Sequence, residues 1–128
     1  MPEEPKTPTG PKILIVEDER PLAHALELKL GHEGYQTTTA ATGSQALSEG
    51  QSNAYDLILL DLILPEIDGF TILKELKAKG IKAPIVVLSN LGQAEDQKKA
   101  KELGAADYLV KSNSPLSQIV ALIKTLLS

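Results

Sequence analysis

Four short apolar runs in this 128-residue chain each end in a side chain able to do chemistry. Ile13-Leu14-Ile15-Val16 is followed by Glu17 and Asp18, and Leu57-Ile58-Leu59-Leu60 by Asp61. Ile85-Val86-Val87-Leu88 is followed by Ser89, and Tyr108-Leu109-Val110 by Lys111. If the four run ends meet, they bring together three carboxylates, one hydroxyl and one ammonium group. Three neighbouring carboxylates repel one another. A hard divalent cation removes that penalty, and Mg²⁺ in particular binds through one or two carboxylates, waters and a phosphate. A carboxylate can also attack phosphorus and form an acyl phosphate. The metal would neutralise the phosphoryl oxygens, Lys111 would add a point charge and Ser89 a hydrogen bond. The set fits a phospho-aspartate site with Mg²⁺.

Taken singly, these residues say less. Asp61 stands between four apolar residues and Leu62-Ile63-Leu64, where a carboxylate is unfavourable unless paired or coordinated. It also suits a polar strand terminus or a cap. Asp18 and Glu19 lie just before Pro21, as a helix N-terminus prefers. Ser89 alone is uninformative, and Lys111 alone is an ordinary solvated strand-end lysine. The joint pattern carries the argument, because four separate strands each supply a matching group.

The elements that must position these groups alternate along the chain. After the first run, Pro21 fits the first turn of a helix. Leu22, Ala25, Leu26 and Leu30 keep helical spacing until Gly31 and Gly34. Tyr35 to Thr39 is a more polar strand, expected at an edge, and Ser44 to Glu49 a short helix. Pro65 and Gly69 lead into a helix with Phe70, Leu73 and Leu76 on one face. A charged helix is expected over roughly Ala94 to Leu103. The last helix carries a stripe of Leu116, Ile119, Val120, Ile123, Leu126 and Leu127. Unbroken apolar strands between helices predict an α/β fold: (βα)₅, a doubly wound parallel sheet. A polar second strand suits the order 2-1-3-4-5, with ligands bound beyond the carboxyl ends of the strands near the switch between strands 1 and 3.

Composition bounds the rest. Apolar residues are 42% and charged residues 23%, which fits one globular domain and excludes global disorder. With no cysteine, disulfides and thiolate metal sites are excluded, and two histidines, His24 and His32, supply a zinc site poorly. A net charge of −4 argues against a nucleic-acid-binding surface. No run is long enough for a membrane span, and the start has no apolar stretch like a secretory signal. A soluble, cytoplasmic protein is expected. Four of the eight prolines fall at Pro2, Pro5, Pro8 and Pro11, so residues 1–11 are expected to form a disordered tail and 12–128 the folded domain.

From about Lys12 to Leu127 the chain resembles a receiver domain of the two-component response-regulator family, a CheY-like, flavodoxin-like fold. The resemblance rests on Glu17-Asp18-Glu19 after the first run and on Tyr55 to Asp61 with Pro65 and Asp68-Gly69. Pro84 to Ser89 and Gly104-Ala105-Ala106-Asp107-Tyr108-Leu109-Val110-Lys111 complete it. It implies that Asp61 is the phosphoacceptor, that Glu17 and Asp18 bind the metal with Asp61, and that the Ile63 backbone carbonyl is a further ligand. It makes Ser89 the switch hydroxyl, Tyr108 the switch aromatic and Lys111 the phosphate-sensing lysine. The implied donor is the phosphohistidine of a sensor histidine kinase or phosphotransfer protein. Tyr108 would rotate inward on phosphorylation and alter the face made by helix 4, strand 5 and helix 5, where a downstream protein would bind. Two positions depart from the family pattern. Ser112 follows Lys111 where a proline is common, so a trans peptide is expected there. Asn90 follows Ser89 where a smaller residue is common.

The expected role is a stand-alone signalling domain rather than an enzyme, with a truncated longer regulator as the other possibility. A receiver-like scaffold that is never phosphorylated is opposed by the intact acidic set and Lys111. A flavin-binding protein would need a phosphate loop where Glu17 to Pro21 stand. An aspartyl-phosphate phosphatase would need a carboxylate where Ile63 stands.

Overall fold

The computed structural model describes residues 9–128. Five strands and five helices alternate: β1 (Lys12–Val16), α1 (Arg20–His32), β2 (Gln36–Ala40), α2 (Gly43–Ser52), β3 (Leu57–Leu60), α3 (Gly69–Ala78), β4 (Ile85–Ser89), α4 (Ala94–Glu102), β5 (Asp107–Val110) and α5 (Leu116–Leu127). A single 3₁₀ turn, Lys111–Asn113, links β5 to α5. All strand pairs are parallel and the order is β2-β1-β3-β4-β5. Both the (βα)₅ class and the order 2-1-3-4-5 match the sequence expectation, with the polar β2 at an edge.

The apolar runs split by strand parity. Leu14, Val16, Ile58, Leu60, Ile85 and Val87 pack on the side of α2, α3 and α4. Ile13, Ile15, Leu57, Leu59, Val86 and Leu88 pack on the side of α1 and α5. This two-sided burial explains why the strands are unbroken hydrophobic runs. Register places Val16 beside Leu60 and Leu60 beside Val87, so the next residues of β1 and β3 emerge together.

Two local expectations need correction, whereas in α3 Phe70, Leu73 and Leu76 do face one core, with Ile72, Leu73 and Leu76 fully buried and Phe70 partly so. Phe70 sits in the first turn at the rim of the stripe, with the Lys99 ammonium 4.3 Å from its ring centre. The tail expected over 1–11 falls largely on residues 1–8, outside the described residues. Gly10 and Pro11, within that range, are docked. The Gly10 amide donates to the Gly34 carbonyl at 2.9 Å, and the Pro11 carbonyl accepts from Gln36 at 3.0 Å. Finally, α2 is longer than Ser44 to Glu49, because Thr42 caps it by accepting from the Gln45 amide at 3.2 Å. Among the described residues, no helix is long and apolar enough to cross a membrane.

Candidate functional site

The carboxyl ends of β1, β3, β4 and β5 do converge. Glu17 is 3% exposed, Asp61 4% and Ser89 0%, so these polar groups are as enclosed as the apolar core. Asp18 is exposed beside them. One carboxylate oxygen from each of Glu17, Asp18 and Asp61 lies within 4.8 Å of the other two.

Lys111 closes the cluster. Its Nζ lies 2.7 Å from Glu17 Oε1, 2.7 Å from Asp61 Oδ2 and 3.1 Å from Glu19 Oε2. Asp61 Oδ1 accepts from the Ile63 amide at 3.0 Å, so both oxygens of this carboxylate are held. Glu17 Oε2 accepts from the Glu19 amide at 3.1 Å. Burial raises the Glu17 pKa and the Asp61 charge adds to this, against the Lys111 and Glu19 hydrogen bonds that lower it. For Lys111, burial disfavours the ammonium, but hydrogen bonds to Asp61 and Glu17 outweigh it and the pKa is raised.

Local sequence explains how Asp61 is presented. Asp68 caps α3, accepting from the Phe70 amide at 2.9 Å and the Thr71 hydroxyl at 2.7 Å. The capped end presses on the backbone after Asp61, where the Gly69 amide donates to the Leu62 carbonyl at 2.9 Å. A Cβ at Gly69 would stand 2.3 Å from Leu62 Cα and 2.7 Å from the Asp61 carbonyl oxygen, so only glycine permits this approach.

The departure at Ser112 also has a structural answer. The Lys111–Ser112 peptide is trans, as expected. The Ser112 amide, which a proline would lack, donates to Asn90 Oδ1 at 3.2 Å. The two departures from the family pattern thus bond to each other across the loops after β4 and β5. Asn90 also lines a cavity of about 130 Å³ with Asp18, Glu19, Asp61, Ile63 and Lys111.

Ser89 and Tyr108 belong to a neighbouring arrangement. Ser89 Oγ accepts from the Leu91 amide at 3.4 Å. The Tyr108 hydroxyl donates to the Leu91 carbonyl. Tyr108 is 8% exposed, so the inward position expected only after phosphorylation is already taken up in this structure. Burial, with the Asp96 and Asp61 charges behind it, pushes the phenol pKa up to about 12. The Leu91 carbonyl is the partner that draws the ring in, and nothing at position 108 alone signals it.

The structure brings Glu17, Asp18, Asp61, Ile63 and Lys111 together and puts Ser89 at the adjoining end of β4. The sequence reading assigns Glu19 only to the start of α1. In the structure the Glu19 side chain makes no capping bond and turns to Lys111 instead.

With this geometry in hand, known proteins can be compared. Residues 13–124 match the family model described as the response regulator receiver domain. The chain belongs to that family. It is a receiver domain of two-component response regulators, a family for which phosphorylation and Mg²⁺ are typical. Such domains interact with histidine kinases and downstream effectors. It is 39% identical over 116 residues to the transcriptional regulatory protein PcoR of Escherichia coli, covering 91% of this chain and 51% of that protein. This chain therefore spans about half the length of the curated relatives it matches. A Francisella response regulator receiver domain superposes with a TM-score of 0.87 at 31% identity, covering 92% of this chain and 97% of that one. The receiver domain of a sensor histidine kinase from Pseudomonas aeruginosa, solved with a magnesium ion coordinated in its active site cleft, gives a TM-score of 0.83 at 30% identity, covering 93% and 98%.

The donor set fits such an ion. Three hard oxygen donors gather without histidine or cysteine. The three carboxylate oxygens, within 4.8 Å of one another, can draw in to the roughly 3 Å spacing of adjacent ligands around an octahedral Mg²⁺.

Proposed function

We propose that this receiver domain accepts a phosphoryl group on Asp61 from the phosphohistidine of a sensor histidine kinase or phosphotransfer protein. The observation that carries the reading is the Asp61 carboxylate, enclosed at a strand end and held 2.7 Å from the Lys111 ammonium inside an acidic cluster. A carboxylate oxygen of Asp61 attacks phosphorus, the new O–P bond forms, and the P–N bond to the donor imidazole breaks. Its electron pair leaves with the imidazole. The Ile63 amide orients the carboxylate, and Lys111 turns towards the phosphoryl oxygens while keeping Glu17 as an anchor. Glu17, Asp18 and Asp61 would hold Mg²⁺, with the Ile63 carbonyl as a further ligand. When bound, that ion supplies positive charge to the transferring phosphoryl oxygens.

The chain's output is binding rather than turnover of a substrate, so the domain is not an enzyme in the usual sense. Ser89, in this reading, exchanges the Leu91 amide for a phosphoryl oxygen. Leu91 also accepts from Tyr108, so one loop couples the hydroxyl to the aromatic ring. The face made by α4, β5 and α5 is then the surface for a downstream protein. Support comes from α4, which buries only Ala100 and is inexpensive to shift. The acidic net charge of −4 favours a protein over nucleic acid as the direct partner, and membership of the response-regulator family favours a cytoplasmic setting.

Incubation with acetyl phosphate, with and without Mg²⁺, followed by intact mass, tests the reading. A metal-dependent phosphoryl adduct that Asp61→Asn abolishes is expected. Equal labelling of the variant would move the site elsewhere.

A further inference from the structure

We propose that Glu19 is a positioning residue that holds Lys111 from the solvent side and competes with the incoming phosphoryl group for its ammonium, setting how fast small anionic donors label the chain. The inference rests on the phosphoacceptor reading of Asp61.

An ammonium has three N–H groups, and Lys111 places one towards each of Glu17, Asp61 and Glu19. The first two carboxylates are sealed, with side chains 2% and 4% exposed, whereas Glu19 is 57% exposed. Glu19 opens α1, where an acidic side chain ordinarily bonds the helix's own amides, yet it makes no such bond. Its amide instead donates to Glu17 Oε2 at 3.1 Å. The backbone is thereby pinned to one acid of the cluster while the exposed carboxylate, on the lining of the same cavity, bonds the lysine.

A phosphoryl donor reaching Asp61 is itself anionic. It must approach past the Glu19 charge and take an N–H that Glu19 occupies. The buried pair of Lys111 with Asp61 is tight, but an exposed ion pair is weak and readily exchanged. Glu19 therefore slows labelling without blocking it. Because its charge faces solvent, its influence is screened by salt. A residue that merely started the helix would change stability slightly and leave the salt dependence of labelling unmoved.

The test compares the full chain with Glu19→Gln, labelled by acetyl phosphate at saturating Mg²⁺ and followed by intact mass. The glutamine variant should label roughly threefold to tenfold faster at about 0.05 M salt, with the gain shrinking towards unity at about 0.5 M. Phosphoramidate, which carries one negative charge less, should show a smaller gain. Glu19→Asp, which keeps the charge but draws it back by one methylene, should fall between the other two. Equal rates at low salt, a slower glutamine variant, or a gain indifferent to salt would overturn the proposal while leaving Asp61 as the acceptor. A parent chain that neither donor labels would overturn the acceptor reading, and the role of Glu19 with it.

Discussion

Leu59 and Asp61 stand two residues apart on the same stretch of chain and are 2% and 4% exposed, so solvent is almost equally absent from both. Their surroundings follow opposite rules. Leu59 packs among Ile13, Ile15, Leu57 and Val86, all apolar and mutually compatible. Asp61 shares one ammonium with Glu17 and Glu19, while Asp18 stands close by with no such partner among the described residues. The apolar region is satisfied as built. The charged region carries more negative than positive groups. The difference teaches that burial in this molecule has two faces: in the sheet it stabilises, and at the strand ends it encloses an acidic cluster around one lysine at a cost in stability.

Truncation should expose the contrast most strongly in the apolar region. Leu59→Ala should destabilise by about 2–5 kcal/mol, the range for emptying a leucine site in a packed core, read from urea unfolding midpoints. A loss below about 1 kcal/mol would mean that the core is loosely packed.

In the charged region the sign should reverse. A carboxyl whose folded pKa lies above its unfolded one holds more protons when folded, so ionising it lowers stability. Glu17 is such a group, chiefly through burial. Without divalent ions, its contribution is lost as pH rises from the ordinary value of 4.5 through the raised one. Glu17→Gln should remove that loss and raise metal-free stability near pH 7. Mg²⁺ at ten times its dissociation constant should stabilise the parent by about 1.4 kcal/mol, and the variant much less at the same concentration. Thermal unfolding with chelator and with Mg²⁺ reads both effects. A variant that is less stable without metal yet gains as much from Mg²⁺ would remove Glu17 from the ion's site.

Tyr108 gives the smallest effect and lies at the border of the two regions. Its phenol is held at about 12 against an ordinary 10.0, so its contribution is intact below pH 10 and lost as pH rises towards 12. Tyr108→Phe should lower stability at neutral pH by about 1 kcal/mol through the lost bond to the Leu91 carbonyl. The gap should close between pH 10 and 12, because the variant has no phenol to ionise there. Unfolding midpoints across that interval test it, and a constant gap would place the phenol in solvent.

Much of this architecture was legible in the residues. Strands buried on both faces read as unbroken apolar runs, so the parallel sheet and the side chain after each run followed from pattern alone. Asp61 and Lys111 could be paired because the topology sends all strand ends to one edge. Glu19 was hidden because an acid before Pro21 also suits the start of a helix, and only the fold shows that Lys111, 92 residues on, outcompetes that role. The depth of Tyr108 depends on a backbone carbonyl 17 residues away, which has no side-chain signature. The docking of Gly10 and Pro11 likewise uses their own backbone groups, bonded to the Gly34 carbonyl and to the Gln36 amide and side chain, and is invisible in a proline-rich segment.

The most direct test of the central claim is to locate the phosphoryl group itself. The labelled chain is reduced with borohydride, which converts an aspartyl phosphate to homoserine, then digested and sequenced by mass spectrometry. The account predicts the converted residue at position 61 alone, and only after labelling with Mg²⁺ present. Conversion at another acidic residue, or equal conversion at Asp61 with the metal chelated, would contradict it.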